Sequence, residues 1–185
     1  MDRETLSEAQ LVEAAASGNV GAFSQLVREY RGRVLRTACG IVGSTEEAED
    51  VAQEVFVKVW NNLPRYRALG TFSSWLYRIT VNAAVDALRH GQNEVSLDDW
   101  QRDPNEPPEE VALRVDQRQR VRRALGALPP GARSALILRE YEQLSYKEIA
   151  EVLQIPIGTV MSRLNYARKL LKERLGPETN VGGGA

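Results

Sequence analysis

The side chains with the most chemical capacity in this chain stand close together near its C-terminal end. Tyr146 and Lys147, then Pro156, Gly158 and Thr159, then Met161, Ser162, Arg163, Asn165, Tyr166, Arg168 and Lys169 bring hydroxyls, an amide and cations into one short stretch. This set suits noncovalent recognition of nucleic acid, because amides and hydroxyls can contact base edges while cations contact phosphates. Covalent catalysis has little material to work with. The single histidine, His90, follows Arg89 at a helix end, no glycine-rich loop ends in Lys-Ser or Lys-Thr, and potential metal ligands are not clustered. The paired acids Glu46/Glu47 and Glu109/Glu110 fall on surface-like segments. A binding protein with no enzymatic activity, cofactor or metal is expected.

Two helices must position the recognition set. Ser145 and Glu148 have the spacing of a capping box, which starts a helix by satisfying its first backbone N–H groups. That helix runs through Ile149, Ala150, Val152 and Leu153, and Pro156 and Gly158 punctuate a short turn. A second apolar stripe follows at Val160, Leu164, Ala167 and Leu171, the positions of one helical face. The opposite face carries Met161, Ser162, Asn165, Tyr166, Lys169 and Lys172, with Arg163 and Arg168 on its flanks. Residues 157–175 hold five Lys or Arg against the one acid Glu173, so positive charge is concentrated behind the turn. The pattern is a helix-turn-helix whose second helix, Gly158–Leu175, faces DNA.

The net charge of −1 over 185 residues hides a strong division. Residues 1–62 carry −4, 63–93 carry +3, 94–116 carry −6, 117–156 carry +3 and 157–175 carry +4. Two basic patches flank an acidic connector, which matches two nucleic-acid contacts better than one uniform basic surface. The connector, residues 94–112, contains Pro104, Pro107 and Pro108 among acids and buries too little apolar area to offset its ordering entropy. It reads as an interdomain linker. The hydrophobic share of 43% supports a core on either side of it. Helical patterns cover about Ser7–Ser17, Val20–Val42, Thr45–Asn61 and Thr71–Arg89 before it, and Leu113–Ala127, Ala132–Tyr141, Ser145–Leu153 and Gly158–Leu175 after it. The expected fold is therefore all-α, with small helical domains at 7–93 and 113–175 and a frayed tail at 176–185. Lone Cys39, among Leu35, Ala38 and Ile41, excludes an internal disulfide and reads as a small buried thiol. With no signal-like leader and no run of about 20 apolar residues, a soluble cytoplasmic protein without membrane contact of its own is expected.

The first domain offers two amphipathic features. In Thr45–Asn61, Ala48, Val51, Ala52, Val55, Phe56 and Val59 form the buried side, leaving Asp50, Gln53, Glu54, Val57 and Asn61 outward. An acidic stripe of this kind is either a solvated face or a dock for a basic protein partner. In the next helix Arg78, Asn82 and Arg89 share a stripe, with the rings of Phe72, Trp75 and Tyr77 beside it. Rings and arginines suit unpaired bases, which stack on the former while the latter follow the backbone; the same residues could also be ordinary core and ordinary surface.

The runs Glu49-Asp-Val-Ala-Gln-Glu-Val-Phe-Val-Lys-Val-Trp60, Phe72-Ser-Ser-Trp-Leu-Tyr-Arg-Ile-Thr-Val-Asn-Ala-Ala-Val-Asp86, Leu128-Pro, Leu144-Ser-Tyr-Lys-Glu-Ile-Ala and Ile157-Gly-Thr-Val-Met-Ser-Arg-Leu together resemble the extracytoplasmic-function sigma factors of bacterial RNA polymerase. The resemblance spans residues 7–175 in order and implies two helical domains, sigma two and sigma four, joined by a variable linker. It implies that Asp50, Gln53, Glu54 and Val57 dock on the clamp coiled coil of the largest polymerase subunit, and that the second domain meets the flap. It assigns Leu63–Phe72 to the loop that captures a flipped minus-ten base, with Asn82 nearby and Arg65 and Arg67 as phosphate partners. In the second domain Tyr146, Lys147, Pro156, Gly158 and Thr159 match positions gripping the minus-thirty-five backbone, and Met161, Ser162, Arg163, Asn165 and Tyr166 line the reading face. Many members carry arginine where this chain has Met161, and His-Arg or Phe-Arg where it has Asn165-Tyr166. Neither methionine nor tyrosine makes the bidentate guanine contact of arginine, so the preferred minus-thirty-five sequence should differ. The resemblance also implies an anti-sigma factor as a partner.

The expected function is promoter choice for core polymerase, with duplex read by the second domain and the minus-ten region opened by the first. A free-standing helix-turn-helix regulator is the alternative; it would leave the acidic stripe and the Arg78/Asn82 stripe without a purpose.

Overall fold

The computed structural model describes residues 6–67, 70–90 and 108–176, with side chains from residue 116 onward in the last segment. Among these residues the chain is helical, with α1 (Glu8–Ala16), α2 (Val20–Val42), α3 (Thr45–Asn62), a 3-10 turn (Leu63–Arg65), α4 (Phe72–His90), α5 (Pro108–Gly126), α6 (Pro130–Glu140), α7 (Tyr146–Leu153) and α8 (Ile157–Leu175). Strands are absent from them.

The helix starts follow from local chemistry. Ser7 and Gln10 form a reciprocal capping box on α1, with Ser7 N–H donating to Gln10 Oε1 at 2.8 Å and Gln10 N–H to Ser7 Oγ at 3.3 Å. Asn19 Oδ1 accepts from Ala22 N–H at 3.0 Å and so caps α2. Gly43, at φ 85°, ends α2 in the left-handed region that a side chain would strain. Ser44 then caps α3.

Helices α2, α3 and α4 pack mutually around Leu26, Tyr30, Val34, Ile41, Val55 and Leu76, with α1 laid across α2. In the second half, α6, α7 and α8 close over Leu138, Ile149, Val160 and Leu164, with α5 along α8. Full burial of each such aliphatic side chain contributes on the order of 1.5–3 kcal/mol. The two halves also meet, α2 against α6 and α4 against α7.

One boundary differs from the sequence reading. Helix α5 opens at Pro108, inside the segment 94–112 assigned to the linker. Proline lacks the N–H that a first helical residue leaves unused, and Glu109 and Glu110 behind it supply the acids that helix starts favour. Residues 91–107, most of that linker, and the tail from 177 lie outside the described residues.

Candidate nucleic-acid and polymerase interface

Helix α3 buries Ala48, Val51, Ala52, Val55 and Val59 against its neighbours, which turns Asp50, Gln53, Glu54 and Val57 outward together. Val57 is 60% exposed, so an apolar side chain sits amid an acidic stripe. Glu54 pairs with Lys58 at 2.6 Å one turn on; both side chains are about half exposed, and pairs near the surface are worth at most about 1 kcal/mol. The stripe therefore keeps its groups available.

The connection from α3 to α4 is anchored at both ends. Leu63 is fully buried and Phe72 is 5% exposed. Phe72, expected among the DNA-contacting rings, belongs to the core instead, edge-on to Tyr30 at 5.4 Å and to Tyr66 at 6.0 Å. It starts α4, and its position on the inner face of that helix takes it out of solvent. The ring that sequence reasoning missed is Tyr66. It lies half-buried, 4.8 Å from Trp75 by centroids, and its hydroxyl donates to the Gly70 carbonyl at 3.2 Å. Burial raises its pKa, so the hydroxyl stays protonated. Its placement between Arg65 and Arg67 in the sequence was the available signal. Arg65 and Arg67 are exposed beside it.

On α4, Asn82 is exposed, Trp75 and Arg78 are half-buried, and Arg89 is exposed with Asp86 at 3.4 Å. Tyr77 does not join this stripe: it is 3% exposed and donates to the Glu142 carboxylate. The half-exposed rings of Tyr66 and Trp75 face each other at 4.8 Å, Arg65 and Arg67 flank Tyr66 in the chain, and Arg78 and Asn82 follow Trp75 on α4 three and seven residues on; rings and cations of these kinds can stack a base and hold a phosphate backbone.

The helix-turn-helix forms as its sequence dictates. Ser145 N–H and Oγ donate to the Glu148 carboxylate at 2.7 and 2.6 Å, and Glu148 N–H returns to Ser145 Oγ at 3.3 Å. These bonds hold the Glu148 carboxyl below its ordinary range. Gln154, at φ 54°, ends α7 in the left-handed region, and Pro156 precedes α8. Val160, Leu164, Ala167 and Leu171 are buried, and Met161, Ser162, Asn165, Tyr166, Lys169 and Lys172 are exposed. At about 100° per residue those six lie within one sector of about 140°. Met161 and Tyr166 are 49% and 50% exposed. Pro156, Gly158 and Lys147 are exposed at the same end, and Thr159 is half-buried.

The two flanking arginines face the protein more than the sequence suggested. A Cβ placed on Gly131 would lie 2.9 Å from Arg163 Cζ, so that guanidinium packs on the start of α6. Arg168 reaches Tyr146, and Glu140 at 3.3 Å, and the hydrogen bond with Tyr146 first, then that with Glu140, raises its pKa. Tyr146 itself sits half-buried with the Arg139 guanidinium 5.4 Å from its ring centre. Lys169, Lys172 and Arg174 remain as the outward cations of α8.

Two family models match the chain: Sigma-70 region 2 over residues 26–94, and Sigma-70, region 4, over residues 118–171. The RNA polymerase sigma-H factor of Pseudomonas aeruginosa is 38% identical over 91% of this chain and 93% of its own length. The ECF RNA polymerase sigma-E factor of Escherichia coli K12 is 36% identical over 94% and 97%. The chain belongs to the extracytoplasmic-function sigma factors of RNA polymerase. As a sigma factor it is the subunit that directs transcription initiation at chosen promoters. Among solved structures, CnrH in complex with the cytosolic domain of CnrY superposes at TM-score 0.71 and 27% identity, covering 91% of this sigma factor and 97% of that chain. The sigma factor RpoE of Bartonella quintana, solved with the anti-sigma factor NepR, shares the fold at TM-score 0.68 and 22% identity over 86% and 100%. The region 2 match takes in most of α2 with α3 and α4, and the region 4 match ends in α8, so the exposed faces of α3 and α4 lie in one region of this sigma factor and that of α8 in the other. A regulator with a helix-turn-helix alone has no counterpart for region 2.

Proposed function

We propose that this sigma factor docks on the clamp coiled coil of the polymerase largest subunit with Asp50, Gln53, Glu54 and Val57. An exposed valine between acids is suited to a partner surface that is basic with an apolar centre. Tyr66, Trp75, Arg65, Arg67, Arg78 and Asn82 then hold the unpaired minus-ten strand. The second domain meets the flap and reads minus-thirty-five duplex, with Lys147, Thr159 and Lys169 on phosphates and Met161, Ser162, Asn165 and Tyr166 toward base edges.

The observation that carries this reading is that α3, α4 and α8 each bury one face in a core and leave a chemically distinct face open: acidic with valine, cationic with rings, and cationic with amide and hydroxyl groups. Opening needs no chemistry. Unstacking and flipping a base costs a few kcal/mol, and stacking on an aromatic ring returns about 1–3 kcal/mol per base. The protein works in the cytoplasm without catalysing a reaction, and an anti-sigma factor is its regulator. Support for that partner comes from the related sigma factor solved with one. Among the described residues, no helix is long and apolar enough to cross a membrane.

The test is run-off transcription from a genomic fragment library with core polymerase, with and without this protein. Promoter-specific transcripts are expected only when it is added. Their absence with cognate core would overturn the assignment.

A further inference from the structure

A cleft of about 1010 Å³ is bounded by the C-terminal ends of α2 and α4, by α5 and by residues at both ends of α6. That is the upper end of the range, about 300–1,000 Å³, of small-molecule sites. Its walls are apolar. Val42, Leu88, Val121 and Leu125 line it half-buried, Leu128 lines it buried, and Tyr141 is 47% exposed. Aliphatic side chains that meet around one opening and stay half-buried leave surface that an apolar body would cover favourably.

Helix α5 shows what kind of body fits. Arg118, Val121, Arg122 and Leu125 all line the cleft and have the spacing of one helical face. A face closed by protein packing carries apolar residues at such positions, whereas this one alternates guanidinium with aliphatic. Arg36 and Arg123 line the same cleft exposed, and Arg133 lines it buried. Among the described residues no acid lines it. Glu142, 3.7 Å from Arg36, offsets that one cation. Arg133 is held by carbonyls instead: Nη1 donates to Ile41 at 2.6 Å, and Nη2 to Gly126 at 2.6 Å and Leu128 at 3.2 Å. These bonds fix its position without cancelling its charge, and burial lowers its pKa.

The complement of such a cleft is a molecule with an apolar body and an anionic end. Arginine stems lie along apolar surface while their guanidinium groups stay in water, where the paired donors fit two oxygens of a carboxylate or phosphate.

We propose that the cleft binds a single-chain amphipathic anion, with an acyl chain along Val42, Leu88, Val121 and Leu125 and its carboxylate or phosphate head on Arg118 and Arg122. The walls come from both sigma regions, so one bound molecule touches both. None of the lining residues belongs to the faces assigned above to polymerase or DNA, so the site stands independently of that assignment.

Calorimetric titration of the full chain with dodecanoate, kept below its micelle concentration, tests this and should give one saturable site. Decanoate should bind about fifteenfold more weakly, because each methylene lost from a buried chain costs about fourfold. Dodecanol, with the same chain and no charge, should bind about tenfold more weakly. Replacing both Arg118 and Arg122 with Gln should weaken dodecanoate about tenfold and leave dodecanol unchanged, and Leu88→Asp should abolish binding of both; circular dichroism checks that each variant remains helical. Absence of saturable binding, or equal affinity for dodecanoate and dodecanol, would overturn the proposal. So would full affinity in the arginine variant or in Leu88→Asp. Two further arms separate other occupants. Sedimentation with phosphatidylglycerol vesicles without saturable dodecanoate binding would assign the cations to a bilayer surface. Binding that appears only when Asp98, Asp99 and Asp103 are replaced by Asn would give the cleft to the chain's own acidic segment. Either result would overturn the assignment to a free acyl anion.

Discussion

Arg168 Nη2 lies 3.3 Å from the Glu140 carboxylate, so a cation on the recognition helix is engaged by the domain that carries it. Lys169, the next residue, faces outward. Arg168→Ala should lower the stability of region 4 by about 0.5–1 kcal/mol, the Arg168 side chain being 46% exposed, and leave the salt dependence of promoter binding unchanged. Lys169→Ala should spare stability and reduce the slope of log affinity against log salt by about 0.9. Thermal melts and holoenzyme binding across a salt series check both; a reduced slope for Arg168→Ala would place that cation on DNA.

Met161, Asn165 and Tyr166 point away from the core on α8. Replacing them should change which bases are preferred at minus thirty-five, with single base preferences moving by about 1–3 kcal/mol. Selection from a randomised minus-thirty-five library measures this. A profile unchanged by the triple replacement would move recognition to another face.

Charge reversal at Asp50 and Glu54 should weaken core binding with helix content and melting temperature retained, because both side chains are exposed. Val57→Glu should act in the same direction by removing the apolar centre of the stripe. Titration of core with each variant decides the matter, and unchanged affinity would reduce the stripe to a solvated surface.

Asn82→Ala should still bind core and minus-thirty-five duplex but form fewer open complexes. A premelted bubble should restore part of the loss if Asn82 assists melting, and little if it reads the flipped base. Permanganate reactivity of unpaired thymines on both templates separates the two. Normal opening on both would make Asn82 structural.

Ser145→Ala should destabilise region 4 by about 1 kcal/mol through loss of the cap on α7. The Glu148 carboxyl is held below its ordinary pKa, so its contribution is present above the unfolded value, near 4.5, and is lost as pH falls through the folded value. Melts of wild type and Glu148→Gln should therefore diverge above pH 4.5 and converge in more acidic solution. Parallel curves throughout would mean that the charge adds nothing to the cap.

Helix positions and the inward and outward faces of α3 and α8 were legible because amphipathic periodicity reports burial directly. What escaped were interactions between segments distant in the chain. Phe72 and Tyr77 look like aromatics available to DNA until their neighbours are known: Tyr30 covers the first, and Glu142, 65 residues away, takes the second. Arg163 and Arg168 lie at the edges of a basic face, and only the placement of Gly131 and Glu140 reveals that the first packs on α6 and the second is paired within its own domain. The start of α5 was overlooked because prolines and acids describe both a linker and a helix N-terminus. The stacking pair of Tyr66 with Trp75 depends on a loop whose course periodicity cannot trace.

The buried ends of the α3–α4 connection, Leu63 and Phe72, have a mechanical meaning. The acidic stripe on α3 and the ring-bearing surface on α4 lie on two helices packed directly against each other. On the docking proposed above, a polymerase that gripped the first would set the position of the second to within a side chain's reach. The protein would then act as a gauge block: the base to be extracted would be selected by a fixed length of protein measured from the enzyme, and the distance from that base to the start of the transcript would be inherited from hydrophobic packing.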